Sequence, residues 1–392
     1  MNRHKKLFLM ALVVLPVGVF AQQRDGLRFG NFTLTPFVSV EASYDSNIRL
    51  QEKAQEDFVY RVNPGLDAKY VGTDWGVVGN AWYSYDLYQK YELLNAHRYG
   101  EKLGFYVESP KGWKFMMNEA YDYSNQNDSM LSGGDGVWRN RQQFDIDAKF
   151  AYEIGERWNV GLNALYRDTQ FDSKTENDYG PLFGWTMAKL GAEMEYALTP
   201  ETGLILDGSF QRYSSDGQVA GESNESDGYS IGGGFGSRFT ERIKYRLIVG
   251  ANVYSTESDT TISPALNATV SWKISQRWNF NVAMASYYQP SESSPGQAKN
   301  VFQPSAGIAY KLAERLDMSA DIVYRYENNE TLSDGNNATE YATDQYTARY
   351  RVAYWFTRYA NVYASTEYTL QNSDISEGWD RYRISLGCLF RY

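Results

Sequence analysis

Arginine and aspartate recur in this chain at a spacing of two. Arg349 and Arg351, Arg381 and Arg383, and Asp145 and Asp147 form such pairs, while Asp317 and Asp321 are spaced by four and Arg61 stands alone. Even spacing puts side chains on one face of a β-strand. A row of guanidinium forks on such a face suits carboxylate or sulfate groups. The pair Asp145 and Asp147 has the makings of an acid and a base. Lys149 follows on the same face, however, and a solvated ladder is the simpler reading. Catalysis has little else to stand on. Beyond His4, His97 is the only histidine, in a polar stretch, Leu94-Asn95-Ala96-His97-Arg98, that reads as a loop. No serine or cysteine has local support as a nucleophile. The run Gly232-Gly233-Gly234-Phe235-Gly236 lacks the Lys-Ser/Thr and helix of a phosphate loop and fits an antiparallel strand open to close packing. Spacing of Cys and His for a metal is absent. The chain reads as no enzyme, with no cofactor and no metal.

The elements that must position these residues are written as alternation. Trp158, Val160, Leu162, Ala164 and Tyr166 stand against Asn159, Gly161, Asn163 and Arg167. Phe144, Ile146, Ala148, Phe150 and Tyr152 stand against Asp145, Asp147, Lys149 and Glu153. Leu316, Met318, Ala320, Ile322 and Tyr324 stand against Asp317, Ser319, Asp321 and Arg325. The C-terminus repeats the pattern, with Ile384, Leu386, Cys388, Phe390 and Tyr392 on the apolar face. One apolar and one polar face per strand suit a barrel with lipid outside and water inside.

The chain repeats at about 40 residues, each unit a hairpin. Short turns such as Gly155-Glu156-Arg157-Trp158 and Ala313-Glu314-Arg315-Leu316 alternate with longer acidic segments entered through tyrosine. Tyr44-Asp45-Ser46-Asn47 and Tyr326-Glu327-Asn328-Asn329-Glu330 are two of these. Short turns mark the periplasmic end and long loops the exterior. The fold expected is all-β, a transmembrane antiparallel up-and-down β-barrel of eighteen strands, or sixteen if two weak ones are misread. Each strand needs roughly 9–11 residues to span. Glu119 falls on the outward register of the fifth strand and the fourth is short, so a bulge or a miscounted strand is expected there. A propeller is excluded because each repeat holds two long strands, not four short ones.

A barrel of this size encloses an aqueous lumen. Alternation makes Arg61, Arg349, Arg351, Arg381 and Arg383 its basic lining. They gather on one side because the last strand closes on the first. Asp145, Asp147, Asp317 and Asp321 line other strands, which predicts segregated charge and a transverse field. The competing expectation is that the arginines pair with Glu367 and Asp380. No loop is long enough to plug the lumen, the longest being Glu327 to Asp344.

The N-terminus is an export address: Arg3, Lys5 and Lys6, an apolar stretch Leu7–Phe20, and a cleavage site after Ala21. This divides the chain into a signal peptide 1–21, a periplasmic lead-in 22–31 and a barrel 32–392. Net charge is −10, and removing the three signal cations makes it −13. Aromatic residues are 16%, with 33 Tyr and 10 Trp, at a mean hydropathy of −0.55. Such a polar, tyrosine-rich chain is expected where aromatics form two interfacial girdles around a wet interior. Cys388 is the only cysteine, so no intramolecular disulfide can form. Clusters such as Asp216, Glu222, Glu225 and Asp227, and Glu327, Glu330, Asp334 and Glu340, suit divalent cations shared with lipid phosphates. Simple solubility of the loops is the plainer reading.

The ending, with Phe390 and Tyr392, resembles the C-terminal strand of outer-membrane β-barrels, whose terminal aromatic the barrel assembly machinery recognises. The opening Leu34-Thr35-Pro36-Phe37-Val38-Ser39-Val40-Glu41-Ala42-Ser43-Tyr44-Asp45-Ser46-Asn47-Ile48 resembles the outer-membrane β-barrel porin family often encoded beside exopolysaccharide synthesis and export genes. Tyr368 to Asp374 looks like a similar hairpin tip. The resemblance implies passage or export of a polar, saccharide substrate across a bacterial outer membrane. The partners it implies are outer-membrane lipid and lipopolysaccharide, the assembly machinery and a polysaccharide, and no nucleic acid. The alternative is a structural or adhesive barrel with no open pore.

Overall fold

The computed structural model describes residues 26–125, 127–128, 137–138, 140–172, 183–216, 224–237, 242–256, 260–291, 298–331, 339–374 and 378–392. The expected signal peptide 1–21, the start of the expected lead-in, Glu222 and Asp334 lie outside the described residues. Eighteen long strands follow one another, the first six being β1 Phe32–Asp45, β2 Asp57–Val71, β3 Trp75–Tyr88, β4 Ala96–Glu108, β5 Trp113–Ser124 and β6 Arg141–Ile154. Next come β7 Trp158–Phe171, β8 Trp185–Ala197, β9 Thr202–Ser215, β10 Glu225–Ser237, β11 Ile243–Ser255 and β12 Thr260–Lys273. The last six are β13 Trp278–Pro290, β14 Ala298–Ala313, β15 Leu316–Thr331, β16 Thr339–Trp355, β17 Ala360–Ser373 and β18 Trp379–Arg391. A short strand, Leu27–Phe29, folds back on β1.

Each long strand pairs antiparallel with its sequence neighbours, and β18 pairs with β1 from Phe37↔Arg391 to Asp45↔Arg383. The barrel is closed and leaves no sheet edge at the seam. The register holds the alternation read from the sequence. Ser39, Glu41, Ser43 and Asp45 of β1 are buried in the interior, while Val38 and Phe390 face out. Outward rings form two girdles. At the short-turn end Trp158 and Tyr196 lie 4.7 Å apart, and Trp278 and Tyr310 4.0 Å. At the loop end Tyr99 and Tyr123 are 4.8 Å apart, and Tyr324 and Tyr346 4.7 Å. Offset and tilted aromatic pairs of this kind suit the membrane–water interface.

Three expectations about punctuation fail. The strands run to 12–17 residues, because the tyrosine-led segments continue the ladder. Tyr326–Glu330 lies within β15 and Glu225 and Asp227 within β10, so none of these belongs to a loop. The ladders of β4 run unbroken on both sides, and the register shift lies instead between Lys311 and Ala313 of β14. There the two-residue turn is closed by an extra residue, which a short-turn hairpin accommodates more readily than a central ladder. Glu119 stays on the outward register of β5, opposite Leu103.

Candidate functional site

Alternation places all nine charged residues singled out from the sequence on the inner wall, yet few of them are free. Asp45, 1% exposed, accepts from both Arg381 (Nε, 3.0 Å) and Arg383 (Nη2, 3.0 Å). Arg61 grips Asp86, also 1% exposed, through two bonds, Nη2 to Oδ2 being 2.6 Å, with Glu41 at 3.9 Å. Arg349 donates to Glu367 at 2.7 Å and lies 3.6 Å from Asp321. The guanidinium of Arg351 sits 4.3 Å from the ring centroid of Tyr363, whose hydroxyl donates to Glu41 at 2.8 Å. Asp145 is held by Arg167 at 2.6 and 3.1 Å, and Asp147 accepts from Asn118 at 3.0 Å. Asp317 accepts from the Trp355 indole at 3.0 Å.

The charge is therefore interleaved, not segregated, and the transverse field expected from the sequence is corrected accordingly. Cross-strand neighbours can satisfy one another within one ladder, which cancels much of the field at short range. Glu367 is a partner, as the competing expectation had it. Asp380 is not: it stands on the outward row of β18, and Asp45 takes its place.

The loops cap the outer part of this wall. Asn47 is fully buried; its amide donates to the carbonyls of Gln51 (2.6 Å) and Asp380 (3.0 Å). Ile48 packs with Val59, Tyr88 and Leu94 over β2 and β3. Asp57 accepts from the backbone N–H groups of Lys90 (3.0 Å) and Tyr91 (3.1 Å), tying one loop to the next. The sequence placed Asn47 in a long acidic loop entered through Tyr44. A buried Asn that bridges two carbonyls has no signature beyond its type, because Asp380, which ties it to the wall, is distant in sequence.

Towards the short turns the wall opens. A cavity of about 620 Å³ is lined among others by Asp67, Lys69, Asn80, Lys102, Asp147 and Arg391. Asn80 donates to Asp67 at 2.6 Å, and Arg391 pairs with the same carboxylate. Lys69 and Lys102 are exposed to the lumen. Beside them inward rings lie over glycines directly across the ladder: Phe37 over Gly65, Trp82 over Gly100, Tyr106 over Gly76 and, further round, Tyr363 over Gly387. A Cβ on Gly100 would come within 3.1 Å of the indole. The glycine strand β10 works similarly. Its inward row is only Ser and Gly, so Arg246 of β11 reaches across it to Glu193 of β8 at 2.6 and 3.1 Å.

Comparison with known proteins places this barrel. The profile of the family described as "Putative beta-barrel porin 2" matches residues 185–392, just over half of the chain. The chain belongs to this family. No curated protein sequence matches it. Among solved structures it is similar to the FrpB iron transporter from Neisseria meningitidis, at 8% identity and a TM-score of 0.45, over 91% of this chain and 81% of that one. It is likewise similar to the siderophore receptor PirA from Acinetobacter baumannii, at 9% identity and a TM-score of 0.43, over 91% of this chain and 80% of that one.

One further feature of this porin-family barrel was not legible in the sequence. The β12–β13 ladder ends at Leu266↔Ser286, although β12 continues to Thr260 and β13 to Pro290. The released end of β13 stays paired with β14 up to Pro290↔Ala298 and lies inside the lumen. Tyr288 is 7% exposed, its ring 5.2 Å from that of Tyr254, and its carbonyl accepts the Tyr213 hydroxyl at 2.9 Å. Trp185 and Met187 complete the cluster. On the other side Arg325 donates to Gln289 at 3.0 Å and to Gln303 at 3.2 Å. Lys299 lies 3.1 Å from Glu327, which is thus an interior residue and not a loop carboxylate. A strand pair crosses the outer lumen where only a long loop had been sought. His97 is also corrected: it opens β4 on the outward row, its ring stacked 5.5 Å from that of Tyr123. Among the described residues no group of three His, Cys, Asp or Glu is arranged for a metal.

Proposed function

We propose that this barrel is an outer-membrane channel for polar solutes, with saccharide chains, including exopolysaccharide, as the favoured class. The observation that carries the reading is the periplasmic half of the lumen. Rings laid across the wall over Gly65, Gly76 and Gly100 stand beside Asp67, Asn80, Lys102 and Asn118. Apolar ring faces flanked by carboxylates and amides match a sugar, which is apolar on its C–H face and hydroxylated at its edge. The same rows suit no catalytic assignment, so the barrel is read as a non-enzyme without cofactor. Residues 1–21 serve as a cleaved export signal for a Gram-negative cell. Phe390 and Tyr392 serve the assembly machinery, and the girdles meet lipid and lipopolysaccharide.

Purified protein in planar bilayers is expected to open a stable conductance that added oligosaccharide blocks transiently. Trp82→Ala is expected to shorten the blocks while leaving the conductance. Replacing Phe390 and Tyr392 together by Ala is expected to reduce the heat-modifiable barrel in the membrane fraction, each lost ring contact being worth about 1.5–3 kcal/mol of transfer. The second reading, a structural or adhesive barrel, is favoured by the strand pair across the outer lumen. Absence of any conductance in the wild type and in every variant would select it.

A further inference from the structure

Tyr288 has two places to sit. The outward row of β13 runs Trp278, Phe280, Val282, Met284 and Ser286, and its next member is Tyr288. Neighbouring strands carry outward rings close by, Phe302 of β14 standing opposite Ser286 on one side and Tyr326 of β15 on the other. The alternation of β13 therefore prepares Tyr288 for the lipid-facing girdle, whereas the structure seats it in the lumen on Tyr254.

The wall keeps a matching vacancy. Among the described residues the β12 ladder with β13 stops at Leu266, so Ile262 and Pro264 are not in register with β13. Continuing the register of Leu266↔Ser286 outward would set Pro264 against Tyr288 and Ile262 against Pro290. At present the Pro264 carbonyl accepts the Ser286 hydroxyl at 2.9 Å, a side-chain link at the point where the backbone ladder stops. Proline gives up one donor, so an extended ladder here loses a single bond and remains otherwise complete. An open strand edge at the level of the membrane is costly, and a paired one is not.

We propose that the outer end of β13–β14 is a gate with two seats. Folded in, as in this structure, it closes the outer lumen between β9 and β15. Swung out, it zips onto β12, delivers Tyr288 to the girdle and opens the lumen. Both seats bury or lipid-cover the ring and satisfy most of the backbone, the condition for two states of comparable free energy. The gate rests on the channel reading above, and it reconciles a polar periplasmic lumen with a closed outer one.

In a Cys388→Ala background, Ile262→Cys and Pro290→Cys place one thiol outside and one inside the barrel. Ile262 is 69% exposed on the outer face, and Pro290 is buried. Oxidation in the membrane is expected to cross-link them and to raise single-channel conductance by about twofold or more, reversibly on reduction, as expected when one state is trapped. Tyr213→Phe removes one hydrogen bond and keeps the ring; it is expected to shift the closed-to-open ratio about fivefold toward open, the effect of one ordinary bond. Thiols that react after denaturation but never cross-link in the membrane would overturn the gate and leave the channel reading standing. So would a cross-linked barrel that conducts like the reduced one, or a Tyr213→Phe barrel with unchanged open time. If neither oxidised nor reduced barrel conducts, the gate and the channel reading fall together.

Discussion

The outer half of the lumen, under the long loops, and the half beside the short turns are built from the same residue types and hold them differently. In the outer half Asp45, Asp57 and Asp86 lie under Asn47, Ile48 and Leu94, each bound to fixed partners. In the half beside the short turns Lys69 and Lys102 extend into open space, Asp147 accepts from the Asn118 amide, and Asp67, though paired with Arg391 and the Asn80 amide, stays part-exposed. Burial changes what a charge is for. A buried ion pair is structural, because removing one partner strands the other in a low dielectric. A solvated one contributes little to stability and remains available to a passing solute.

The sharpest way to break this contrast is Asp45→Leu. It leaves Arg381 and Arg383 facing each other without their shared carboxylate, a loss of about 3–5 kcal/mol. Urea titration of the folded band should register it, and an unchanged midpoint would mean that the outer network is solvated after all. Reversal of Arg381 and Arg383 to Glu should likewise deplete folded barrel before any ion preference can be read, because both then face Asp45. A smaller effect is expected from Gly100→Ala. The added Cβ meets the Tyr121 carbonyl oxygen at 2.6 Å and the Trp82 indole at 3.1 Å, and shifting backbone and ring costs about 1–3 kcal/mol. Oligosaccharide block should weaken with it, and block that survives intact would remove Trp82 from the path. The smallest change in stability is expected for Arg167→Gln, below about 1 kcal/mol for a pair this open to water. Its signature is a shift of permeability toward cations, since Asp145 loses its partner. An unaltered reversal potential would place that rung outside the conducting route.

Much of the architecture was legible without coordinates. Period-two alternation and turn chemistry are local, and together they count eighteen strands, orient Asp145, Arg349 and Arg383 inward, and send Phe390 and Tyr392 outward. Boundaries were less legible, because residues such as Tyr326 and Asp227 are polar enough for a loop yet continue the ladder when a neighbouring strand is present to pair with them. The bulge assigned to β4 failed for a related reason: an outward Glu119 marks a costly side chain, not a broken backbone.

Sequence by itself determined the strands, their inward and outward rows and the membership of the inner charge set, since each follows from neighbours two residues apart. Tertiary structure alone decided which carboxylate each arginine meets, that Asn47 bridges loop to wall, and that β13 abandons β12 beyond Ser286. Those outcomes depend on groups brought together from opposite ends of the chain. Arg383 and Asp45 become adjacent only when the last strand closes on the first. Tyr288 can choose the lumen only because Tyr213 and Tyr254, on strands several places away, form a seat for it.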